Sequence, residues 1–220
     1  MFGFINQVIL IAVITILCVL FIVITQMLLA NDRFQTKYLN RSSLRTGDLI
    51  VSSSSIRAGS LVPIFTQSIW SHPGMIIVDP NGNITVIEVI SKYKGKKHNC
   101  LHQIPLDDWM EYWKNHHICI VKMVGPDISY DRVIESYHKY QHIRLEPFGG
   151  TWIRLIQNIP YDGKQRKKAV CYEVINMILQ DLGIVKKRYN PGSYSCSNTV
   201  YGIIDTNLPY RYEQGYEIFH

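Results

Sequence analysis

The sequence predicts an α+β fold, and three observations carry that prediction. Strand-type apolar runs crowd the middle of the chain, segments with helical apolar spacing follow, and one late helix closes the series. Runs of strands followed by helices, without regular alternation, describe an α+β domain. The first thirty residues hold no Asp, Glu, Lys or Arg, and the remainder, about 190 of 220 residues, suffices for one domain with a full core. The organisation expected is a transmembrane anchor over 1–30, a polar linker over 31–45 and one folded domain over 46–220.

Within the first segment, residues 8–25 carry only Thr15 and Thr25 as polar side chains. About 20 apolar residues rising 1.5 Å each cross a hydrocarbon layer ~30 Å thick, so a retained membrane helix is expected. A cleaved signal peptide is the rival reading. Its apolar core runs ~7–15 residues behind a basic stretch, whereas this run is longer and no basic residue precedes it. Arg33, Lys37, Arg41 and Arg45 all follow the span, and a one-sided basic flank places the domain in the cytosol. Asn40-Arg41-Ser42 and Asn83-Ile84-Thr85 match the N-glycosylation pattern and point weakly the other way.

Gly47-Asp48 reads as a turn into a strand over 49–51, followed by a loop through Ser52 to Ser55. Leu61, Ile64, Phe65 and Ile69 give 59–70 near-helical spacing. Two β-rich runs, 73–78 and 84–90, flank the turn residues Asp79-Pro80-Asn81-Gly82-Asn83, which predicts a hairpin. A short helix is expected over 106–113, with Asp107 and Asp108 early, and a strand over 118–124 ended by Gly125-Pro126. Asp127 or Ser129 caps a helix running to about Ile143. The last helix spans 169–182, with Val170, Val174, Ile175, Ile178 and Leu182 on one face and Gly183 as its stop. The tail reads as surface strands or loops.

All charge lies beyond the anchor and sums to +6. A basic domain beside a bilayer suits anionic headgroups or nucleic acid. No nucleic-acid module is present, so no nucleic-acid partner is expected. Cys18 lies in the span, and Cys100, Cys119, Cys171 and Cys196 show no repeating disulfide spacing.

His72, Glu88 and Cys171 form the candidate catalytic set. A hairpin turn centred on Asn81 sets Gly74 opposite Glu88 and His72 opposite Ile90. His72 and Glu88 then share a face as diagonal neighbours, ~7–8 Å apart at Cα. A one-residue slip would separate them. A carboxylate holding one imidazole nitrogen fixes the tautomer that a base needs. Cys171 stands near a helix N-terminus, where the dipole and an adjacent imidazolium lower a thiol's pKa. Lys164, Arg166, Lys167 and Lys168 add positive field upstream. The plainer alternatives are a buried inert Cys171 on the Val174, Ile175, Ile178 face, a strand-capping His72 and an exposed Glu88. A thiol site needs its three groups together in space, in any chain order.

In order, Gly47-Asp48-Leu49-Ile50, Trp70-Ser71-His72-Pro73-Gly74-Met75, Val86-Ile87-Glu88-Val89, Cys171-Tyr172-Glu173-Val174-Ile175 and Gly183-Ile184 carry a resemblance. Together they resemble the circularly permuted papain-like hydrolases of the NlpC/P60 superfamily, over about residues 46–195. That group includes bacterial amidases, lecithin:retinol acyltransferase relatives and poxvirus members. The resemblance implies Cys171 as nucleophile, His72 as base and Glu88 as the residue orienting it, with no cofactor. Pro191 followed by Tyr194 is similar to the segment after the cysteine helix in such proteins. Tyr172 departs from the Ser often found after the nucleophile, which bears on pocket size and substrate choice.

The function expected is a membrane-anchored thiol hydrolase or acyltransferase working through an acyl-thioester. The anchor and basic surface favour a lipid ester or amide, or an acylated protein near the membrane. The resemblance adds peptide and isopeptide amides. Two rivals stand beside it. Cys100, His102, His116, His117 and Cys119 supply soft and imidazole ligands for a metal-binding module, although their spacing matches no common zinc pattern. The other rival is a non-catalytic anchored scaffold on the same fold.

Overall fold

Nine strands build the main sheet of the computed structural model, which describes residues 2–31, 35–53, 70–93, 96–145, 168–186, 199–202 and 204–218. In chain order the elements are α1 (Phe2–Asn31), β1 (Thr36–Lys37), β2 (Leu49–Ser53), β3 (Trp70–Val78), β4 (Ile84–Tyr93) and β5 (Lys96–Pro105). Then come α2 (Leu106–Tyr112), β6 (Ile118–Val121), β7 (Met123–Val124), α3 (Tyr130–Tyr140), β8 (Arg144–Leu145) and β9 (Lys168–Ala169). The series ends with α4 (Cys171–Asp181), β10 (Arg211–Tyr212) and β11 (Tyr216–Ile218). The main sheet runs β1-β11-β6-β2-β3-β4-β5-β8-β9, and β7 with β10 forms a separate ribbon. The class is α+β with a sheet-dominated core, as the sequence predicts.

The hairpin that carries the site follows from its turn. Asp79 Oδ1 accepts the backbone N–H groups of Asn81 and Asn83, both at 2.8 Å. Gly82 takes a left-handed φ of +84° that a side chain would strain. This turn pairs Met75 with Ile87, Ile76 with Val86, Ile77 with Thr85 and Val78 with Ile84, the register expected from a turn centred on Asn81. At Gly74 the two strands approach so closely that a Cβ would sit 2.5 Å from Val86 Cγ1.

Strand alternation divides the core. Leu49, Val51, Met75, Ile77, Ile87 and Val89 face α3 and α4, packing with Val133, Val174 and Ile178. Ile50, Ile76, Val86, Ile90, Ile104 and Ile118 face the other way and pack with Leu106 and Trp109 of α2. In α4 every residue from Glu173 through Gln180 is buried, Asn176 and Gln180 included, so this helix runs inside the domain and not along its surface.

Other elements differ from the expectations. The strand expected over 118–124 divides after Val121 because Asp48 Oδ1 accepts the Met123 N–H at 2.9 Å and turns the chain toward β10. The stretch expected as a linker contributes more than a tether. Thr36 and Lys37 pair in parallel with Glu217 and Ile218, and Leu44 is buried. The α3 helix ends at Tyr140, short of Ile143. Strand β5, which the sequence reading left unassigned, pairs along most of β4. The helix expected over 59–70 lies outside the described residues except for Trp70, which opens β3. Helix α1 is 30 residues long and uncharged. Among the described residues, however, no helix is long and apolar enough to cross a membrane, so the anchor remains a reading of the sequence.

Candidate active site

Three elements deliver the predicted residues: β3 brings His72, β4 brings Glu88, and the first position of α4 is Cys171. A register shift places Ser52 opposite His72 and Ser53 opposite Trp70, leaving Ser71 as the extra residue on β3. Such a bulge re-aims the side chains next to it. Glu88 is fully buried, and its Oε2 lies 2.6 Å from His72 Nε2. The same oxygen accepts the Trp109 indole N–H at 2.8 Å. Cys171 Sγ donates to the Ser71 carbonyl at 3.7 Å and also makes a hydrogen bond with the His72 imidazole. All three residues meet, as the sequence analysis expected.

Burial disfavours the charged form of His72. The Glu88 charge, with the hydrogen bonds to Cys171 and Glu88, outweighs it and raises the imidazole pKa to about 10. Cys171 itself is half-buried at the head of α4. The Val170 N–H donates to Glu173 Oε2 at 3.0 Å, the one half of a capping box available when the cap residue is a valine.

Sequence reasoning missed the aromatic support of this site. Trp113, the C-cap of α2, stacks on the His72 ring at 4.9 Å between centroids and 29° between planes. Trp109 and Trp113 are four apart and fall on one side of a helix. That spacing was legible, but its target on β3 and β4 was not. Glu88 Oε1, Ser52 Oγ and Trp113 Nε1 are buried without a hydrogen-bond partner among the described residues.

The candidate metal ligands do not converge. Cys100 Sγ meets His102 Nε2 at 3.3 Å on β5, while His116 Nδ1 donates to the Ser53 carbonyl at 2.7 Å. His117 pairs with Glu217. Cys119 is buried, and that burial pushes its thiol pKa up. Among the described residues no group of three or more His, Cys, Asp or Glu side chains is placed to hold a metal ion. Lys164, Arg166, Lys167, Pro191, Tyr194 and Cys196 lie outside the described residues. Of the basic residues that follow α1, Arg41 pairs with Asp107, and Lys37 lies 5.1 Å from the Tyr216 ring centroid.

No family model matches the chain, and no curated protein matches it. Among solved structures it is similar to the metalloprotein yiiX from Escherichia coli O157:H7, described as DUF1105. The two share 19% identity with a TM-score of 0.44, over 63% of this chain and 66% of that one. The match thus covers just under two thirds of that neighbour, and a likeness this distant carries no argument. The case for chemistry therefore rests on the site itself.

Proposed function

We propose that this chain is a membrane-anchored thiol hydrolase or acyltransferase on a permuted papain-like domain, with Cys171 as nucleophile, His72 as acid–base and Glu88 as its orienting partner. The observation that supports this most is the imidazole shared between a buried carboxylate and the thiol at the head of α4. An imidazolium beside a thiol favours the thiolate, which is the attacking form.

In the proposed reaction the Cys171 sulfur bonds to the carbonyl carbon of an ester or amide, and the carbonyl electron pair moves onto oxygen. The Cys171 backbone N–H, at the first position of α4, is the donor assigned to that oxyanion. Collapse breaks the bond to the alcohol or amine, which leaves with the proton from His72. Water or an acceptor hydroxyl or amine then attacks the thioester, His72 takes its proton, and the thiolate departs. Lipid esters and amides at a bilayer, and peptide or isopeptide amides, all fit this scheme. Cys171→Ala tests it against a panel of both classes. Unimpaired turnover in a folded variant refutes the thiol mechanism.

The anchor belongs to the same proposal. It rests on the sequence: residues 8–25 carry only Thr15 and Thr25 as polar side chains, and about 20 apolar residues cross a ~30 Å hydrocarbon layer. With the basic flank on its C-terminal side, the domain is placed in the cytosol. Protein made in a eukaryotic membrane system is expected to keep its mobility after enzymatic deglycosylation. A shift would show Asn40 or Asn83 on the lumenal side and overturn this orientation.

A further inference from the structure

Glu88 sits where a carboxylate is expensive to keep. It is fully buried, on the strand face that also carries Val86 and Ile90. In such surroundings a carboxyl–imidazole pair has two ways to share its proton. Either the imidazole holds it and both groups are charged, or the carboxyl holds it and both are neutral. Low polarity favours the neutral arrangement unless further hydrogen bonds stabilise the anion. The position of this proton decides what Cys171 faces: an imidazolium in one case, a neutral ring in the other.

Among the described residues two groups donate to Glu88, and both reach the same oxygen. His72 Nε2 is at 2.6 Å and Trp109 Nε1 at 2.8 Å, while Oε1 has no partner among the described residues. An indole N–H is a donor only and cannot take the proton itself. It bonds best to an unprotonated, charged oxygen. The remaining titratable groups around the pair do not replace it. Cys171 bonds the imidazole, and His102, opposite Glu88 on β5, has its Nε2 against Cys100 Sγ. Tyr112, also on α2, senses Glu88 by charge, its phenol raised first by burial and then by that carboxylate. The Trp109 ring is fully buried and packed in the α2-side core, so its N–H is held in place.

We propose that Trp109 is a positioning residue: its indole N–H holds Glu88 as the carboxylate and so keeps the shared proton on His72. This rests on the thiol-enzyme reading above. Helix α2, which contributes no reacting atom, then sets the charge state of the whole site. Trp113 stacks on the ring that receives the proton and Trp109 bonds the group that gives it up.

The test follows alkylation of Cys171 by iodoacetamide as a function of pH, on the full chain in bilayer nanodiscs, with the adduct read by mass spectrometry. Trp109→Phe keeps an aromatic ring and removes the N–H. Loss of one hydrogen bond to a charged group corresponds to about one pH unit. The variant is therefore expected to become reactive about one unit higher, with alkylation about tenfold slower on the rising limb. A purely structural role predicts a lower unfolding midpoint with an unchanged pH profile, and that result overturns the proposal. Should the variant fail to fold, the ring nitrogens of His72 in the unsubstituted chain decide by 15N NMR at neutral pH. An imidazolium supports the proposal, and a neutral ring overturns it. Failure of the underlying reading looks different: Cys171 of the unsubstituted chain would react no faster than Cys100 or Cys119, whatever the state of His72.

Discussion

Among the described residues two carboxylates are fully buried, Asp48 and Glu88, and they are satisfied in opposite ways. Asp48 uses both oxygens. Its Oδ1 accepts the Met123 N–H at 2.9 Å, and its Oδ2 accepts the Arg45 N–H at 3.0 Å and the Lys122 ammonium. These bonds tie the entry of β2 to the break between β6 and β7. Among the described residues Glu88 uses one oxygen, and its partners there are His72, a group that titrates, and Trp109. A carboxylate bonded on both oxygens to backbone N–H groups and a lysine joins separate elements, and it holds the fold. One bonded through a single oxygen to a histidine and an indole is the one the proposed chemistry uses. Burial alone would not have distinguished them.

The contrast is broken most severely at the thiol. Cys171→Ala and His72→Ala are each expected to remove nearly all turnover while the fold is retained by circular dichroism. The double variant should be little worse than either, because groups that act as a unit are not additive. Next in size is Asp48→Ala, which leaves the Lys122 ammonium without its carboxylate. Breaking a buried pair in this way costs roughly 3–5 kcal/mol, to be read from denaturant unfolding. The alkylation rate of Cys171 per folded molecule should hardly change. Equal damage to both readouts would erase the distinction between the two carboxylates.

Smaller effects sharpen the comparison. Glu88→Gln is expected to leave a partly active enzyme, since an amide oxygen still accepts the imidazole N–H. Without the negative charge, the His72 pKa falls from about 10 toward the ordinary imidazole range, so the alkaline limb of the pH–rate profile moves down. The same shift has a stability consequence. The folded-state pKa of His72 lies above its unfolded value of ~6.5. Its contribution is therefore complete below ~6.5 and is lost as pH rises through about 10. The unsubstituted protein should lose unfolding free energy over that window, and Glu88→Gln should flatten the slope.

The hairpin was the most legible part of the chain because its information is local. Asp79, Asn81, Gly82 and Asn83 specify the turn, the turn specifies the register, and the register puts His72 and Glu88 on one face. Cys171 was legible from its place before an apolar helix. Strand β5 was not. Its residues Lys96-Lys97-His98-Asn99 are polar, so no apolar alternation announces it. It is a strand because β4 offers it a backbone ladder. The role of Trp109 was hidden for a similar reason: an indole at helical spacing reads as core, and it is core, but its N–H partner lies on another element. Asp48 was visible as a turn residue, while its partners at Lys122 and Met123 are more than seventy residues away.

The edge of the sheet has a consequence for how the molecule is made. Strand β11 lies between β1 and β6, so the first strand of the chain finds its neighbour only when residues 216–218 arrive. A nascent chain emerging from a ribosome can form the hairpin and the α2 contacts early, from residues close in sequence. It cannot close this border until residues 216–218 have been synthesised. Until then β6 presents an unpaired backbone edge to any passing strand. Protection of that edge therefore waits on residues 216–218, far from β6 in sequence.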